Sequence, residues 1–263
     1  MTERVGLELL GVPVQVDARD PSLGQVAELW RGFRSPLAAG PAYDIGPEGL
    51  RRDGLPAGAE RGRGAAAVLA AFAQDVNQYV IASTQHLACH AGVVTLGDRA
   101  LAFPAQSGTG KSTMTVACTK LGLGYVSDEA LVLDDDGRVL PYPRPLGLVG
   151  PVQATLRSRG SVDVVGETLV PPDELGAVAV DARPAVVAVV LLDRRAARRA
   201  SLEQLPRAQI VAQLLRMSFN GWKDPARALR QATALASAAT LFRLSYGEAA
   251  DAAPLVARLL RDL

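Results

Sequence analysis

The sequence predicts an α/β fold in which a mixed sheet carries antiparallel hairpins and a small N-terminal α/β module precedes it. Two observations indicate this class. Short apolar runs, such as residues 186–192, alternate with segments of helical periodicity, and Gly-Asp or Asp-Gly pairs separate runs that have the pattern of paired strands. Of the 263 residues, 49% are hydrophobic, which is enough for a sizeable core in one large domain or two small ones.

Residues 1–64 are predicted to form the N-terminal module and the loop that follows it. Residues 5–16 have the pattern of one or two strands, and residues 22–33 that of an amphipathic helix capped by Ser22. Residues 36–64 are rich in Gly, Pro and Arg, so we interpret them as a loop. The larger domain is then residues 65–263.

The larger domain is predicted to begin with a core-packing helix from Ala65 to about Ser83, because polar residues interrupt its apolar sequence on one side. Its C-terminal part is predicted to contain a strand over 186–192, helices over 202–217 and 225–239, a strand over 240–246 and a helix over 251–260.

The most informative motif is Pro-Ala-Gln-Ser-Gly-Thr-Gly-Lys-Ser at residues 104–112. It lies between an apolar strand, residues 100–103, and a predicted helix, residues 113–121. A strand, a Gly-rich turn and a helix in this order are the context of a phosphate-binding loop, in which backbone N–H groups surround phosphate oxygens and the helix dipole adds favourable potential. The motif therefore predicts a nucleotide site.

Within this loop, Lys111 is predicted to reach the β- and γ-phosphates of ATP, and Ser112 to ligate Mg²⁺. The consensus has glycine where this chain has Ala105. Alanine costs little there if φ is negative, but about 1 kcal/mol or more in the left-handed region. The predicted nucleotide-binding residues are Ser107, Gly108, Thr109, Gly110, Lys111, Ser112 and Thr113.

Two flanking segments carry further polar residues toward the loop. His90 begins a predicted strand that continues to residue 96, turns at Gly97-Asp98 and returns into the strand before the loop. Downstream, a short strand over residues 124–127 ends in Asp128 and Glu129. We expect adjacent strands to bring His90, the loop and both carboxylates to one edge of a sheet.

This order of histidine, Gly-Lys-Ser loop and acidic pair resembles the catalytic domain of HPr kinase/phosphorylase. It also resembles the HPr kinase-like peptide kinases found beside ribosomal peptide maturation enzymes, of the lasso-peptide type, whose fold is related to phosphoenolpyruvate carboxykinase. The resemblance is close over residues 90–129 and weak over the rest of the C-terminal half. Glu129 stands where the bifunctional family has a second aspartate, and Thr113 where it often has glutamate. The phosphorylase signature is not recognisable, with only a faint echo at residues 143–148, so the resemblance favours a forward kinase.

The resemblance implies that Asp128 is the general base for an acceptor hydroxyl, that Glu129 lies near Mg²⁺ and that His90 orients Asp128 or touches phosphate. A serine or threonine hydroxyl is a weak nucleophile, and a positioned carboxylate contributes on the order of 10² to 10⁴ in rate. The residues alone leave structural roles open: a strand-end turn for Asp128, a solvent-facing side chain for Glu129 and a packed ring for His90.

Asp134 is a competing magnesium ligand, because it follows four apolar residues as in a Walker B strand. However, residues 134–137 end in Asp-Gly and are followed at once by Arg-Val-Leu, so we prefer a turn between two short antiparallel strands.

Several other reactive or charged side chains are interpreted as structural. His86 is predicted to be structural, and the two cysteines have the spacing of neither a metal site nor a disulfide framework. A run of arginines after residue 192 is interpreted as a solvated face rather than a phosphate contact. The cysteines are Cys89 and Cys118, and the arginines are Arg194, Arg195, Arg198 and Arg199.

The resemblance thus implies an ATP- and Mg²⁺-dependent kinase that phosphorylates a hydroxyl, above all a serine of a peptide or small protein. A small-molecule kinase of the same fold and a nucleotide-binding regulator without transfer activity are the alternatives, and a transport NTPase is disfavoured because no Leu-Ser-Gly-Gly signature occurs.

A formal net charge of +1 offers no global attraction to nucleic acid, and no apolar run is long enough to span a bilayer. The polar N-terminus does not have the pattern of a signal peptide, so we expect a cytoplasmic protein without nucleic-acid or membrane partners. The oligomeric state stays open, a homo-oligomer included.

Overall fold

The computed structural model describes residues 3–18, 24–36, 39–46, 48–58, 64–150, 160–195 and 199–263. It shows the predicted α/β class, with mixed sheets. The chain divides into two compact units: unit 1 is Met1–Thr84 with Arg144–Glu174, and unit 2 is Gln85–Pro143 with Leu175–Leu263. This division differs from the predicted boundary at residue 64, because the helix that follows residue 64 packs with unit 1.

Unit 1 contains a six-stranded sheet in the order β3-β1-β2-β4-β5-β6, in which only the β2–β4 pair is parallel. The turn between β1 and β2 has Leu10 and Gly11 at φ 53° and 75°, which is the left-handed backbone of a tight hairpin. The strands are β1 Glu3–Leu9, β2 Val12–Ala18, β3 Arg34–Ser35, β4 Ala42–Gly46, β5 Gly49–Arg52 and β6 Leu55–Pro56.

Two predictions for this part of the chain were wrong. Residues 36–64 are not one loop, since β4, β5 and β6 lie within them; Tyr43, Ile45 and Leu50 are buried, and the glycines serve the turns between the strands. The helix predicted over 22–33 is only α1, Gln25–Leu29, followed by a 3₁₀ turn at Arg31–Phe33. Its predicted cap, Ser22, lies outside the described residues.

The predicted helix after residue 64 is present as α2, Ala65–Ser83, and it forms the core of unit 1. The ring of Phe72 meets the rings of Trp30 and Tyr43 edge to face, each at 5.2 Å between centroids. Unit 1 also holds a small antiparallel sheet in the order β11-β13-β12, with strands β11 Leu146–Leu148, β12 Val162–Val164 and β13 Glu167–Val170.

Unit 2 is built on a seven-stranded mixed sheet in the order β10-β7-β8-β14-β16-β15, and β9 also pairs with β7. Strands β8, β14 and β16 are parallel to one another, so their carboxyl ends share one edge of the sheet. The strands are β7 Leu87–Leu96, β8 Arg99–Pro104, β9 Gly124–Ser127, β10 Ala130–Leu133, β14 Ala185–Arg194, β15 Ser201–Leu205 and β16 Thr240–Tyr246.

Helices cover both faces of this sheet, and each face has its own apolar core. One core includes residues of α4 and α5, and the other includes residues of α3 and α6. The helices are α3 Lys111–Thr119, α4 Ala208–Arg216, α5 Pro225–Ala238 and α6 Ala249–Asp262. Among the described residues, none of the helices combines the length and apolar character needed to cross a membrane.

The hairpin predicted at Gly97-Asp98 is confirmed, because β7 and β8 pair with Leu96 opposite Arg99. The predicted turn at Asp134 is also present: its Oδ1 accepts bonds from the N–H groups of Asp136 and Arg138, at 3.0 and 2.8 Å. The helix predicted over 202–217 was wrong in its first part, where residues 201–205 pair with β16 as a strand. Helical periodicity cannot reveal such long-range pairing.

We predict that both cysteines of unit 2 are unreactive while it is folded. Cys89 and Cys118 have 0% exposure, one in each core, and burial raises the pKa of each thiol to about 12. Because the thiolate is the reactive form, both should resist DTNB at pH 8 and react after unfolding in guanidinium. Rapid modification of either thiol in the native protein would mean that its core is not packed as described.

Candidate active site

The loop between β8 and α3 has the backbone that an anion site requires. Gly108 and Gly110 have φ of 79° and 94°, in the left-handed region that favours glycine. Apart from the glycine and its two chain neighbours, no atom of the described residues lies within 4 Å of the position that a Cβ would take at Gly108. Gly110 precedes the first turn of α3, and no side chain in the described part of the chain caps this end of the helix. Since the first N–H groups of a helix have no intrahelical acceptors, the loop presents donors to an anion.

Ala105, the departure from the loop consensus, is accommodated without strain. Among the described non-glycine residues, positive φ occurs only at Leu10 and Asp53, so Ala105 has negative φ. Its side chain is buried, and its N–H donates to the carbonyl of His90 at 3.2 Å. The low-cost alternative weighed from the sequence therefore holds.

Lys111 is held inside the loop. Its Nζ donates to the carbonyl oxygen of Gln106 at 2.9 Å, and Thr109 Oγ1 donates to the same oxygen at 2.7 Å. Only 5% of the lysine is exposed. Burial lowers the pKa of Lys111, and the carboxylates of Glu129 and Asp128 oppose part of that effect. The ammonium thus lies near both carboxylates, that of Asp128, predicted to be the general base, and that of Glu129, predicted to lie near Mg²⁺.

Asp128 is buried and joins the end of β9 to the first turn of α3. Its Oδ2 accepts a hydrogen bond from Ser112 Oγ at 3.0 Å, and its Oδ1 accepts one from Tyr125 Oη at 3.1 Å. The turn after β9 is fastened instead by Ser127, whose Oγ accepts from the N–H groups of Glu129 and Ala130 at 3.1 and 3.0 Å. Asp128 is therefore directed at the phosphate loop.

Glu129 and His90 lie together at the same edge of the sheet. His90 Nε2 is 3.9 Å from Glu129 Oε1, and both side chains are partly exposed. The His90 ring also lies 5.2 Å from that of Phe219, in a tilted arrangement. A partly exposed carboxylate beside an imidazole can exchange a proton with a molecule that approaches from solvent.

Three residues that support the site were missed in the sequence. Tyr125 fixes Asp128, as described above. Gly92 lets α3 approach β7, because an added Cβ there would lie 2.6 Å from Thr115 Oγ1. Tyr246 lies at the end of β16, and its hydroxyl would be 3.1 Å from a Cβ added at Gly110. Only the strand order could have placed Tyr246 beside the loop.

The remaining predicted residues lie as follows. Ser107, Gly108 and Thr113 are exposed on the loop and first helical turn. The Asp134 carboxylate is engaged by its own turn, which agrees with the preferred interpretation. Of the arginines, Arg194 pairs with Glu248 and Arg195 with Asp193 on exposed surface, whereas Arg198 lies outside the described residues.

A magnesium ion would be held with few protein ligands. In the part of the chain that the structure describes, no group of three or more His, Cys, Asp and Glu side chains is arranged for a metal. Mg²⁺ typically takes one or two carboxylates together with substrate phosphates and waters. The Ser112 hydroxyl next to the Asp128 carboxylate fits that requirement, and it is Asp128 rather than Glu129 that contacts Ser112.

Comparisons with known proteins add little to this picture. No protein-family model and no curated protein matches the chain. Among solved structures, the chain is similar to the Hpr(Ser) kinase/phosphatase from Coxiella burnetii, with 12% identity and a TM-score of 0.36, over 66% of this chain and 94% of that chain. This TM-score is too low for the likeness to assign a function, so the residues of the site carry the proposal below.

The close approach of Gly92 to Thr115 predicts that a substitution at one residue can be rescued by a substitution at the other. Gly92→Ala should push α3 away from β7 and weaken MgADP binding about tenfold, the effect of a 1.4 kcal/mol overpacking cost. Thr115 Oγ1 is buried without a hydrogen-bond partner among the described residues, so Thr115→Ala alone should bind normally. The double variant should recover most of the affinity in calorimetric titration. Failure of the second change to rescue the first would exclude this clash as the cause.

Because Ala105 has negative φ, we predict that glycine, the consensus residue, does not improve nucleotide binding at this position. Ala105→Gly should leave nucleotide affinity within about twofold and lower stability by about 0.4–1 kcal/mol, because glycine adds freedom to the unfolded chain. Titration with MgADP and urea denaturation measure the two effects. Tenfold tighter binding by the glycine variant would show instead that the natural loop is strained.

Proposed function

We propose that this protein is an ATP-dependent kinase that transfers the γ-phosphoryl group to a hydroxyl of a peptide or small protein, most of all a serine. The observation that carries the proposal is the buried Asp128 carboxylate, 3.0 Å from the hydroxyl of Ser112 in a phosphate-type loop. A protein that only binds nucleotide needs the loop, whereas phosphoryl transfer also needs carboxylates at its opening. The resemblance of residues 90–129 to HPr kinase-like peptide kinases supports the choice of acceptor.

When bound, MgATP would supply the phosphoryl group, and its Mg²⁺ ion would neutralise the negative charge that develops on the phosphate oxygens. The N–H groups of the loop would hold the phosphates, and Lys111 would exchange its bond to the Gln106 carbonyl for phosphate oxygens. Ser112 would hold the metal ion, with Asp128 directly or through water. These contacts need little rearrangement, since the loop and both side chains are already in place.

We propose that Asp128 and Glu129 have the opposite roles to those that the resemblance implies: Glu129 is the base for the acceptor hydroxyl, and Asp128 lies on the metal side. Both oxygens of Asp128 are hydrogen-bonded and the residue is buried, which suits a fixed role on the metal side. Glu129 is partly exposed and lies near His90, which suits a group that takes a proton from an incoming hydroxyl. His90 would orient Glu129 or share the proton.

A nucleotide-binding regulator and a small-molecule kinase remain the competing functions. The partly buried Ser112–Asp128 contact and the second carboxylate, Glu129, favour transfer over binding alone. We place the reaction in the cytoplasm, without nucleic acid or membrane as partner, and the protein as a monomer or homo-oligomer.

Isosteric variants of the two carboxylates distinguish their proposed roles. Glu129→Gln should bind MgATP normally but transfer phosphate roughly 10² more slowly, because it lacks the proton acceptor. Asp128→Asn should instead weaken MgATP binding and raise the magnesium concentration needed for activity. Lys111→Ala serves as the inactive control. Single-turnover transfer and MgATP titration of each variant measure these effects.

The opposite result for the two variants would return the base role to Asp128. If neither carboxylate variant slowed transfer, Glu129 and Asp128 would both be excluded from the reaction. If Lys111→Ala kept turnover within a few-fold of wild type, the phosphate-loop assignment itself would be overturned. Nucleotide binding by wild type without transfer to any peptide or small molecule would favour the regulator.

A further inference from the structure

The segment Met217–Lys223, between α4 and α5, forms one side of the candidate site. The N–H of His90 donates to the Met217 carbonyl at 2.7 Å, and the N–H of Phe219 donates to the Ala88 carbonyl at 2.8 Å. Strand β8 ends opposite Ala91. The segment therefore takes the place of β8 beside β7 at the point where β8 leaves the sheet to become the phosphate loop.

Hydrogen bonds hold this segment in one conformation. Asn220 is bonded at both ends of its amide: Oδ1 accepts from the N–H of Ala88 at 3.0 Å, and Nδ2 donates to the carbonyl of His86 at 2.8 Å. The N–H of Gly221 donates to Ser218 Oγ at 2.7 Å. The N–H of Lys223 donates to the Asn220 carbonyl at 3.0 Å. The loop is thus fixed on both sides of residue 222.

Trp222 projects from this fixed loop into solvent. Its exposure is 75%, the highest of any large hydrophobic side chain among the described residues, whereas Trp30 is 2% exposed. The ammonium of Lys223 lies 6.0 Å from the ring centroid, at the outer limit of a cation–π contact, and leaves the ring accessible. Tryptophan on a preorganised surface is the residue type that dominates binding hot spots.

We infer that Trp222 is the docking contact for the acceptor peptide, which places an aromatic or large aliphatic side chain on the indole while its hydroxyl enters the site. The inference rests on the proposed kinase function. It is favoured over a contact between copies of this chain because a stable dimer buries about 800 Å² on each partner, far more than one indole ring provides. The continuity of the Trp222 loop with His90 places the docked peptide beside the phosphate loop.

The reach of the chain sets where the contacted peptide residue lies. Trp222 is three positions along the chain from Phe219, which is at most about 11 Å of extended chain. The rings of Phe219 and His90 are 5.2 Å apart. Because an extended peptide advances about 3.3 Å per residue, the side chain on Trp222 should lie within about five residues of the acceptor hydroxyl.

The test uses synthetic peptide pools with a central Ser or Thr and one fixed residue at each of the five positions on either side. Radiolabelled MgATP reports incorporation by wild type, Trp222→Ala, Trp222→Phe and the control Val180→Ala. Val180 is also exposed, but it precedes the amino end of β14, away from the edge that carries the loop. Wild type should prefer aromatic or large aliphatic residues at one position. Trp222→Ala should lose that preference and incorporate at least tenfold less phosphate, with MgATP affinity unchanged. Trp222→Phe and Val180→Ala should keep most of the preference and most of the incorporation.

A second readout does not depend on transfer. The best peptide, made with Ala in place of its acceptor residue, should protect Trp222 from acrylamide quenching, with Trp222→Phe as the fluorescence blank. Equal selectivity of wild type and Trp222→Ala would overturn the docking inference and leave the kinase intact, as would self-association that is lost only in Trp222→Ala. Incorporation into no pool by wild type would overturn the peptide kinase itself, and the docking inference with it.

Discussion

The hydrogen bond from Ser112 to Asp128 is the contact on which the candidate site depends. It joins the first turn of α3 to the end of β9, and so fixes the phosphate loop relative to the carboxylates. The bond is partly buried, Asp128 itself is buried, and its carboxylate has a second donor in Tyr125. A buried carboxylate with fewer donors would be costly, since desolvation disfavours its charge. The tyrosine thus stabilises a charge that the loop alone would leave poorly solvated.

Close packing gives this bond its geometry. Gly92 brings α3 near β7, and the hydroxyl of Tyr246 lies against Gly110 on the opposite side of the helix end. Both contacts come from residues outside the loop motif: Gly92 lies on β7, and Tyr246 lies on β16, which is distant in sequence. The position of Lys111 is therefore a property of the sheet as well as of the Gly-Lys-Ser sequence. A motif of this kind is functional only on a sheet whose neighbouring strands match it.

Local signals predicted the parts of the site that are contiguous in sequence. The Gly97 hairpin, the phosphate loop and the Asp134 turn depend on residues within a few positions of one another, where turn chemistry and glycine requirements are decisive. The strands at Tyr43 and Leu50 were missed because their glycines and prolines indicate a loop, although β4 and β5 pair with each other and only β4 has a distant partner, β2. The supporting roles of Tyr125 and Tyr246 were missed for a related reason: a buried tyrosine in a strand has the same sequence pattern whether its hydroxyl serves a site or not.

The two adjacent carboxylates, Asp128 and Glu129, lie in different environments although one turn carries both. Ser127 fastens the turn by accepting from the N–H groups of Glu129 and Ala130. Since neighbouring residues at a strand end point in different directions, Asp128 faces the helix and Glu129 faces His90. In the proposed reaction, the partly exposed Glu129 beside His90 would take the proton of an incoming hydroxyl, whereas Asp128, buried with both oxygens bonded, would keep one orientation. A buried charge next to the loop and a partly exposed one next to solvent are the two environments that this proposed transfer to an external hydroxyl would use.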